Sequence, residues 1–263
     1  MLKGIDVSEF NGVIDWAAVK ASGRVDFAII RSGLGWTDGD LALRRDKQFE
    51  ANIKGCEANG IPYGIYHYSY CLKPENARKE AQYVVRLLKD AGAKPLYPIW
   101  LDLEDNAQIP LGKTALTGLA ADWLDELERA GYYAGIYSYR SFFAQYLDME
   151  KLSGYDVWVA EIEVEKPNYS GDYGMWQYSW NGAVKGISGA VDLDYVYRDY
   201  PAIIKAKGLN GWVELSGGQG IVVPSDELES IKKELAAIIE KIIALQAYLK
   251  ARNHNGRRNL GKW

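Results

Sequence analysis

Histidine and cysteine are nearly missing from this chain. Its 263 residues include two of each: His67 and His254, Cys56 and Cys71. Two cysteines are too few for a disulfide framework, and they read as small buried hydrophobes. Without a Cys-x-x-Cys or His-Glu-x-x-His spacing, no metal site and no cofactor are expected. A Ser-His-Asp triad would have to use His67 or the tail residue His254, and that chemistry is not expected. No stretch approaches the roughly 20 apolar residues of a membrane span. Met1 to Asp6 runs straight into a strand, with no charged n-region and no apolar h-region, so synthesis in a cytoplasm without a signal peptide is expected. The formal net charge of −4 argues against a nucleic-acid partner held by phosphate contacts.

Tyrosine and tryptophan are abundant instead, at 19 and 9 residues against 5 phenylalanines. Both pair an apolar face with a hydrogen-bonding edge, which suits sugars, themselves apolar on their faces and hydroxylated at their rims. Some of these rings are ordinary core. Hydrophobic residues make up 48% of the chain, enough for a large core.

Strand-like and helix-like segments alternate to about residue 200. The strands at Leu2–Val7, Asp26–Ser32, Pro62–Tyr68, Tyr97–Leu103 and Tyr133–Tyr139 are largely apolar on both faces, as in a parallel sheet covered on both sides. Val157–Ile162, Met175–Tyr178 and Ala190–Leu193 are late strands with less helix between them. The expected fold is α/β: an irregular parallel (β/α) barrel over residues 1–205, followed by a coiled-coil-like helix. A Gly-, Asn- and Ser-rich linker is expected over 206–224 and a helical segment over 225–263.

In a parallel barrel the active site lies at the C-terminal ends of the strands. Four acids close predicted strands: Asp6, Asp102 and Glu104, and Asp192. Asp102 and Glu104 are two apart, so they share a face, about 6.6 Å apart along the backbone. Barrel closure makes the first and last strands neighbours, bringing Asp6 near Asp192. Crowded carboxylates raise at least one pKa, and a raised carboxyl is what a glycosidase needs as general acid. The plainer alternatives are a metal-binding cluster or solvated strand-end acids. Tyr66, Trp176 and Gln177 close aromatic strands expected at the same mouth, Trp176 for stacking on sugar and the other two for hydroxyl contacts. Trp176 as barrel core is the alternative.

Taken in order, Gly4-Ile-Asp6-Val-Ser8, Asn11-Gly12 with Ile14-Asp15-Trp16, Gly64-Ile-Tyr66-His67-Tyr68, Leu101-Asp102-Leu-Glu104, Gly135-Ile-Tyr137-Ser138 and Trp176-Gln177-Tyr178, followed by Gly186-Ile187 and Val191-Asp192, resemble the glycoside hydrolase family 25 lysozymes, the Chalaropsis type. The resemblance covers residues 1 to about 200. It implies N-acetylmuramidase activity on the β-1,4 bond from N-acetylmuramic acid to N-acetylglucosamine in peptidoglycan, with Glu104 as proton donor and Asp6, Asp102 and Asp192 around it. Tyr137 joins Tyr66, Trp176 and Gln177 as substrate-binding candidates. Asp102 is expected to orient the 2-acetamido group for a substrate-assisted route, with an inverting route open. A phage endolysin, made in the host cytoplasm and acting on the wall after release, is the implied setting. A non-catalytic glycan-binding barrel and a chitinase-like glycosidase are the competing readings. In Trp158-Val-Ala-Glu161 the chain departs from the family, which often carries Tyr at that strand end.

Leu228, Ile231, Leu235, Ile238, Ile242, Leu245 and Leu249 alternate in spacing by three and four, a heptad seam. Leu at a and Ile at d favour a homo-oligomer above the dimer, a trimer or tetramer through residues 225–250. A helix folded back on its own chain, or one that is membrane-active, is the alternative. Lys250, Arg252, Arg257, Arg258 and Lys262 stand in a tail without acids, suited to an anionic wall polymer or simply solvated.

Overall fold

The computed structural model describes residues 1–35 and 43–212 and the single positions 233 and 241. The heptad seam, the oligomer it would build and the basic tail lie outside the described residues. By contacts the chain divides into Met1–Glu214 and Leu215–Trp263; the first unit holds all the elements below.

Nine strands form one sheet: β1 (Leu2–Val7), β2 (Phe27–Leu34), the two-residue β3 (Arg44–Arg45), β4 (Tyr63–Tyr68), β5 (Ile99–Asp102), β6 (Ala134–Tyr139), β7 (Asp156–Ala160), β8 (Met175–Gly182) and β9 (Val191–Val196). The order β1-β9-β8-β7-β6-β5-β4-β2 is closed by pairing of β1 with β2, an eight-stranded barrel with β3 attached outside on β2. Among the described residues six α-helices accompany it: α1 (Trp16–Ala21), α2 (Phe49–Ala58), α3 (Pro74–Asp90), α4 (Gly112–Arg129), α5 (Arg140–Tyr146) and α6 (Tyr200–Ala206).

The barrel is not parallel throughout. From β1 through β2, β4, β5, β6 and β7 to β8 every pair is parallel. β9 runs antiparallel to both β8 and β1. The reason lies in the connection. Residues 183–190 link β8 to β9 without a helix, and a parallel crossover needs a dozen or more residues. A shorter connection can only turn back.

Strand alternation divides the core in two. Phe27, Ile29, Trp100, Trp158, Met175 and Val196 point inward and, with Tyr97 and Tyr200, fill the lower barrel. Phe27 stacks on Tyr97 at 4.6 Å between ring centres, and Trp100 meets Trp158 edge-on at 5.7 Å. Two glycines make room for these rings. A Cβ on Gly4 would lie 2.3 Å from the Phe27 ring, and one on Gly135 would lie 2.3 Å from Trp100. The intervening residues Ile5, Ile30, Ile65, Leu101, Ile136 and Val159 point outward into a second core under the helices. α3 opens with Pro at its first turn and buries Ala77, Ala81, Val84 and Leu88, one stripe at helical spacing.

The stretch expected to begin a linker at residue 206 is packed as far as Asn210. That side chain is fully buried, donating to the carbonyls of Pro95 and Tyr97 at 3.1 Å and accepting from the Tyr133 amide at 2.8 Å. Its φ of 56° is a conformation that Asn tolerates better than most residues. Composition alone reads the flanking glycines as linker; the buried amide ties this turn to the barrel floor.

Candidate active site

With the lower barrel filled by rings, the upper half is left to polar side chains. The same alternation that turns Ile5 and Val7 outward turns Asp6 inward. β5 turns Trp100 and Asp102 inward, and Glu104 follows two residues beyond Asp102. β9 reverses the usual rule. Because it runs antiparallel, its opening rather than its close lies at the mouth, and Asp192 stands directly across from Asp6 in register. Asp192 was expected to end its strand; it is the second residue of it. Asp194, two residues further, lies deeper and pairs across β9 with Gly4 and Gln177.

Hydrogen bonds fix this floor. Tyr137 Oη donates to Gln177 Oε1 at 2.8 Å, and Gln177 Nε2 donates to Asp6 Oδ2 at 2.8 Å. Trp158 Nε1 donates to Asp194 Oδ1 at 2.9 Å. Tyr66 reaches inward from β4, its ring edge-on to Trp158. Gln177 thus relays between a phenol and a carboxylate, which sets which end of its amide faces which neighbour.

Burial dominates the electrostatics. The Asp6 and Asp194 carboxyls are held well above the ordinary range, first by burial and then by the neighbouring aspartates. Asp102 is also pushed well up, by burial and then by the Glu104 charge, with Arg31 opposing. Arg31 is itself buried, its Nε donating to Asp46 Oδ2 at 2.7 Å and its guanidinium lying 4.8 Å from the centre of the exposed Phe10 ring. Burial raises Asp192, and a hydrogen bond with Asp6 opposes the rise. Glu104 is pushed up to about 7, by burial first and then by the charges of Asp105 and Asp192. Like charges this close cannot all ionise, so protons are shared among them.

A cleft of about 520 Å³ opens above this floor, bounded by Glu104, Tyr137, Tyr139, Arg140, Glu161, Gln177, Trp180 and Asp192. Of the residues singled out from sequence, Glu104, Asp192, Tyr137 and Gln177 line it. Asp6, Asp102 and Tyr66 stand in or beside the floor beneath. Trp176 does not join them. As the neighbour of inward-facing Gln177 it must face outward, and its indole packs in the outer core with Nε1 donating to the Glu161 carbonyl at 2.8 Å. Among the described residues no three His, Cys, Asp or Glu side chains are arranged to hold a metal ion.

Trp180 at the mouth and Asp194 beneath it escape sequence reasoning. Trp180, 65% exposed, follows register shifts in β8 between Gln177 and Ser179 and between Ser179 and Gly182. Asp194 shares a face with Asp192, as Glu104 does with Asp102; that i, i+2 spacing was the available signal. Asp194→Asn tests its electrostatic cost. A carboxyl raised in the folded state contributes stability that is present at acid pH and lost as pH rises through the raised value. The variant keeps an acceptor for Trp158 and removes the charge. It is expected to melt a few degrees above the parent at pH 8, at ~2–4 °C per kcal/mol regained, and to lose that advantage at pH 4. Equal shifts at both pH values would contradict this account.

The model of glycosyl hydrolases family 25 matches residues 5–187. The autolytic lysozyme of Clostridium acetobutylicum is 28% identical over 246 residues, covering 91% of this chain and 66% of that protein. The modular autolysin LytC of Streptococcus pneumoniae superposes with a TM-score of 0.65 and 32% identity, over 74% of this chain and 46% of that one. The CTP1L endolysin superposes at 0.67 with 26% identity, over 78% of this chain and 70% of that one. The chain thus spans under half of LytC and about two thirds of the clostridial protein. The family match runs from β1 into the connection that follows β8 and takes in the strands that carry Asp6, Asp102, Tyr137 and Gln177: this chain belongs to glycosyl hydrolases family 25.

Proposed function

We propose that this chain is a muramidase of the endolysin type, cutting the β-1,4 bond from N-acetylmuramic acid to N-acetylglucosamine in bacterial peptidoglycan. The observation that carries it is Glu104: an acid on the wall of an open cleft whose carboxyl is raised to about 7, so that it holds a proton where most carboxyls do not. Family membership and the autolysin and endolysin likenesses point the same way.

Glu104 protonates the glycosidic oxygen as the bond to the anomeric carbon breaks. The 2-acetamido oxygen bonds to that carbon from the opposite side. Water then attacks, returning a proton to Glu104 and restoring the amide, so configuration is retained. From sequence the acetamido contact falls to Asp102. At 3% exposure Asp102 has little surface to offer a substrate, whereas Asp192 lines the cleft. We give the acetamido contact to Asp192, steadied by Asp6, and give Asp102 the control of Glu104's proton from behind. Trp180 offers the cleft's exposed indole face to a sugar ring. Trp180→Ala is expected to raise KM by about 10-fold, the upper end of what such ring contacts supply, with kcat changed little; an unchanged KM on soluble glycan would remove it from the site.

Mass spectrometry of digested peptidoglycan tests the whole reading. N-acetylmuramic acid at the new reducing end is the expected result. N-acetylglucosamine there, or cleavage of chitin in preference to wall, would overturn it. On sequence grounds the proposal extends to a trimer or tetramer through 225–250 and a basic tail that holds anionic wall polymer, and the catalytic unit runs past residue 205 to include the buried Asn210.

A further inference from the structure

Among the described residues that line the cleft, Glu104, Glu161 and Asp192 are acids and Arg140 is the one cation that opposes them. Arg140 opens α5, directly after β6 has brought Tyr137 and Tyr139 to the same wall. Its Nε donates to Glu161 Oε1 at 3.1 Å. Glu161 is in turn held from two further sides. The Asn168 amide donates to its Oε2 at 2.6 Å, and the buried Trp176 indole donates to its carbonyl at 2.8 Å. Burial disfavours the Glu161 charge, but the hydrogen bonds from Asn168 and the Arg140 guanidinium outweigh it and hold the carboxyl below its ordinary range. The ion pair is therefore charged on both sides and anchored at the glutamate end.

One edge of the guanidinium is so occupied and the other is not. Neither terminal nitrogen of Arg140 hydrogen-bonds to the protein among the described residues, and the side chain is 42% exposed within the cleft. A guanidinium fixed through Nε presents its remaining donors in a set plane, which matches a carboxylate and wastes most of its geometry on a hydroxyl.

N-acetylmuramic acid differs from N-acetylglucosamine by a lactyl ether that ends in a carboxyl, either free or extended as a peptide that carries carboxylates of its own. An acid-lined mouth repels either form. We infer that Arg140, buttressed by Glu161, is the residue with which this cleft recognises a carboxylate on the muramyl side of its substrate, and so discriminates wall glycan from uncharged N-acetylglucosamine polymers. The inference rests on the muramidase reading.

The test compares full-length parent, Arg140→Gln, Arg140→Lys and Glu161→Gln on three glycans: peptide-bearing strands, peptide-free strands with free lactyl carboxylates, and the same peptide-free strands with those carboxyls converted to neutral amides. Circular dichroism checks that each variant is folded. The parent is expected to favour a carboxylate-bearing strand over the amidated one by about 10-fold in kcat/KM, the size of one charge-assisted hydrogen bond. A preference already present on peptide-free strands identifies the lactyl carboxylate; one confined to peptide-bearing strands identifies the stem peptide. In Arg140→Gln that preference should vanish through KM. Arg140→Lys should keep part of it, and Glu161→Gln should lower it by a smaller factor. A folded Arg140→Gln that keeps the parental preference, or that loses kcat equally on all three glycans, overturns the inference and leaves the muramidase reading standing. A folded parent that opens no muramyl bond in any of them overturns both.

Discussion

Glu104→Gln is expected to abolish wall lysis while leaving the melting temperature near that of the parent. The amide keeps the size and planarity of the carboxyl and cannot give up a proton to a leaving oxygen. General acid catalysis is worth about 10²- to 10⁴-fold, so residual turbidity loss should fall at least a hundredfold. The pH profile gives an independent check. Burial, helped by Asp105 and Asp192, keeps Glu104 protonated to about pH 7. Activity of the parent should therefore hold through mildly acid pH and decline as pH rises through that value. A carboxyl at its ordinary position, near 4.3, would place the decline more than two pH units lower. A folded Glu104→Gln variant with near-parental lysis would end the assignment, whatever the profile showed.

The strand-end acids were legible because two simple periodicities coincide. An apolar strand buried on both faces has no reason to end in a carboxylate, so Asp6, Asp102 and Glu104 stand out against their own strands. That Asp102 and Glu104 act on one face follows from their spacing alone. Asp192 was found for a partly mistaken reason. The sequence pattern has it close a parallel strand, yet it opens an antiparallel one; the reversal returns it to the mouth, so the two errors cancel in the placement of its side chain. The eight-residue connection before β9 was the clue to direction, since it is too short for a crossover.

The misses share a cause: a side chain's face depends on register, and register is set by pairing partners that lie far away in sequence. Trp176 and Gln177 are adjacent, so they could not both face the cleft; alternation alone should have divided them. Trp180 could not be recovered that way, because register shifts in β8 break the count from Gln177 onward. Asn210 sits among glycines that look like linker, and only the waiting carbonyls of Pro95 and Tyr97 explain its burial. The Arg140–Glu161 pair joins the start of α5 to the end of β7, 21 residues apart. Nothing local in either segment announces the other.

Asp192→Asn is expected to produce the second large loss, about 10²- to 10³-fold in kcat, the usual effect of removing one preorganised electrostatic partner from a transition state. In the substrate-assisted route the acetamido nitrogen gains positive charge as its oxygen closes on the anomeric carbon. A carboxylate beside that nitrogen stabilises the charge at the moment it forms; an asparagine offers a dipole in its place. Asp192 is suited to this because it reaches the cleft while Asp6, hydrogen-bonded to it, and Gln177 hold the floor behind. Were Asp102 the contact instead, Asp102→Asn would show the larger fall in kcat, so ranking the two variants on one soluble glycan decides between them. The Asp192 variant carries a second signature. Its charge is one of those that raise Glu104, so removing it should move the alkaline limb of the rate profile to lower pH. NMR of the first product formed by the parent completes the test. A β anomer accords with attack by the acetamido oxygen, and an α anomer would mean that water attacked directly, leaving Asp192 to serve as its base.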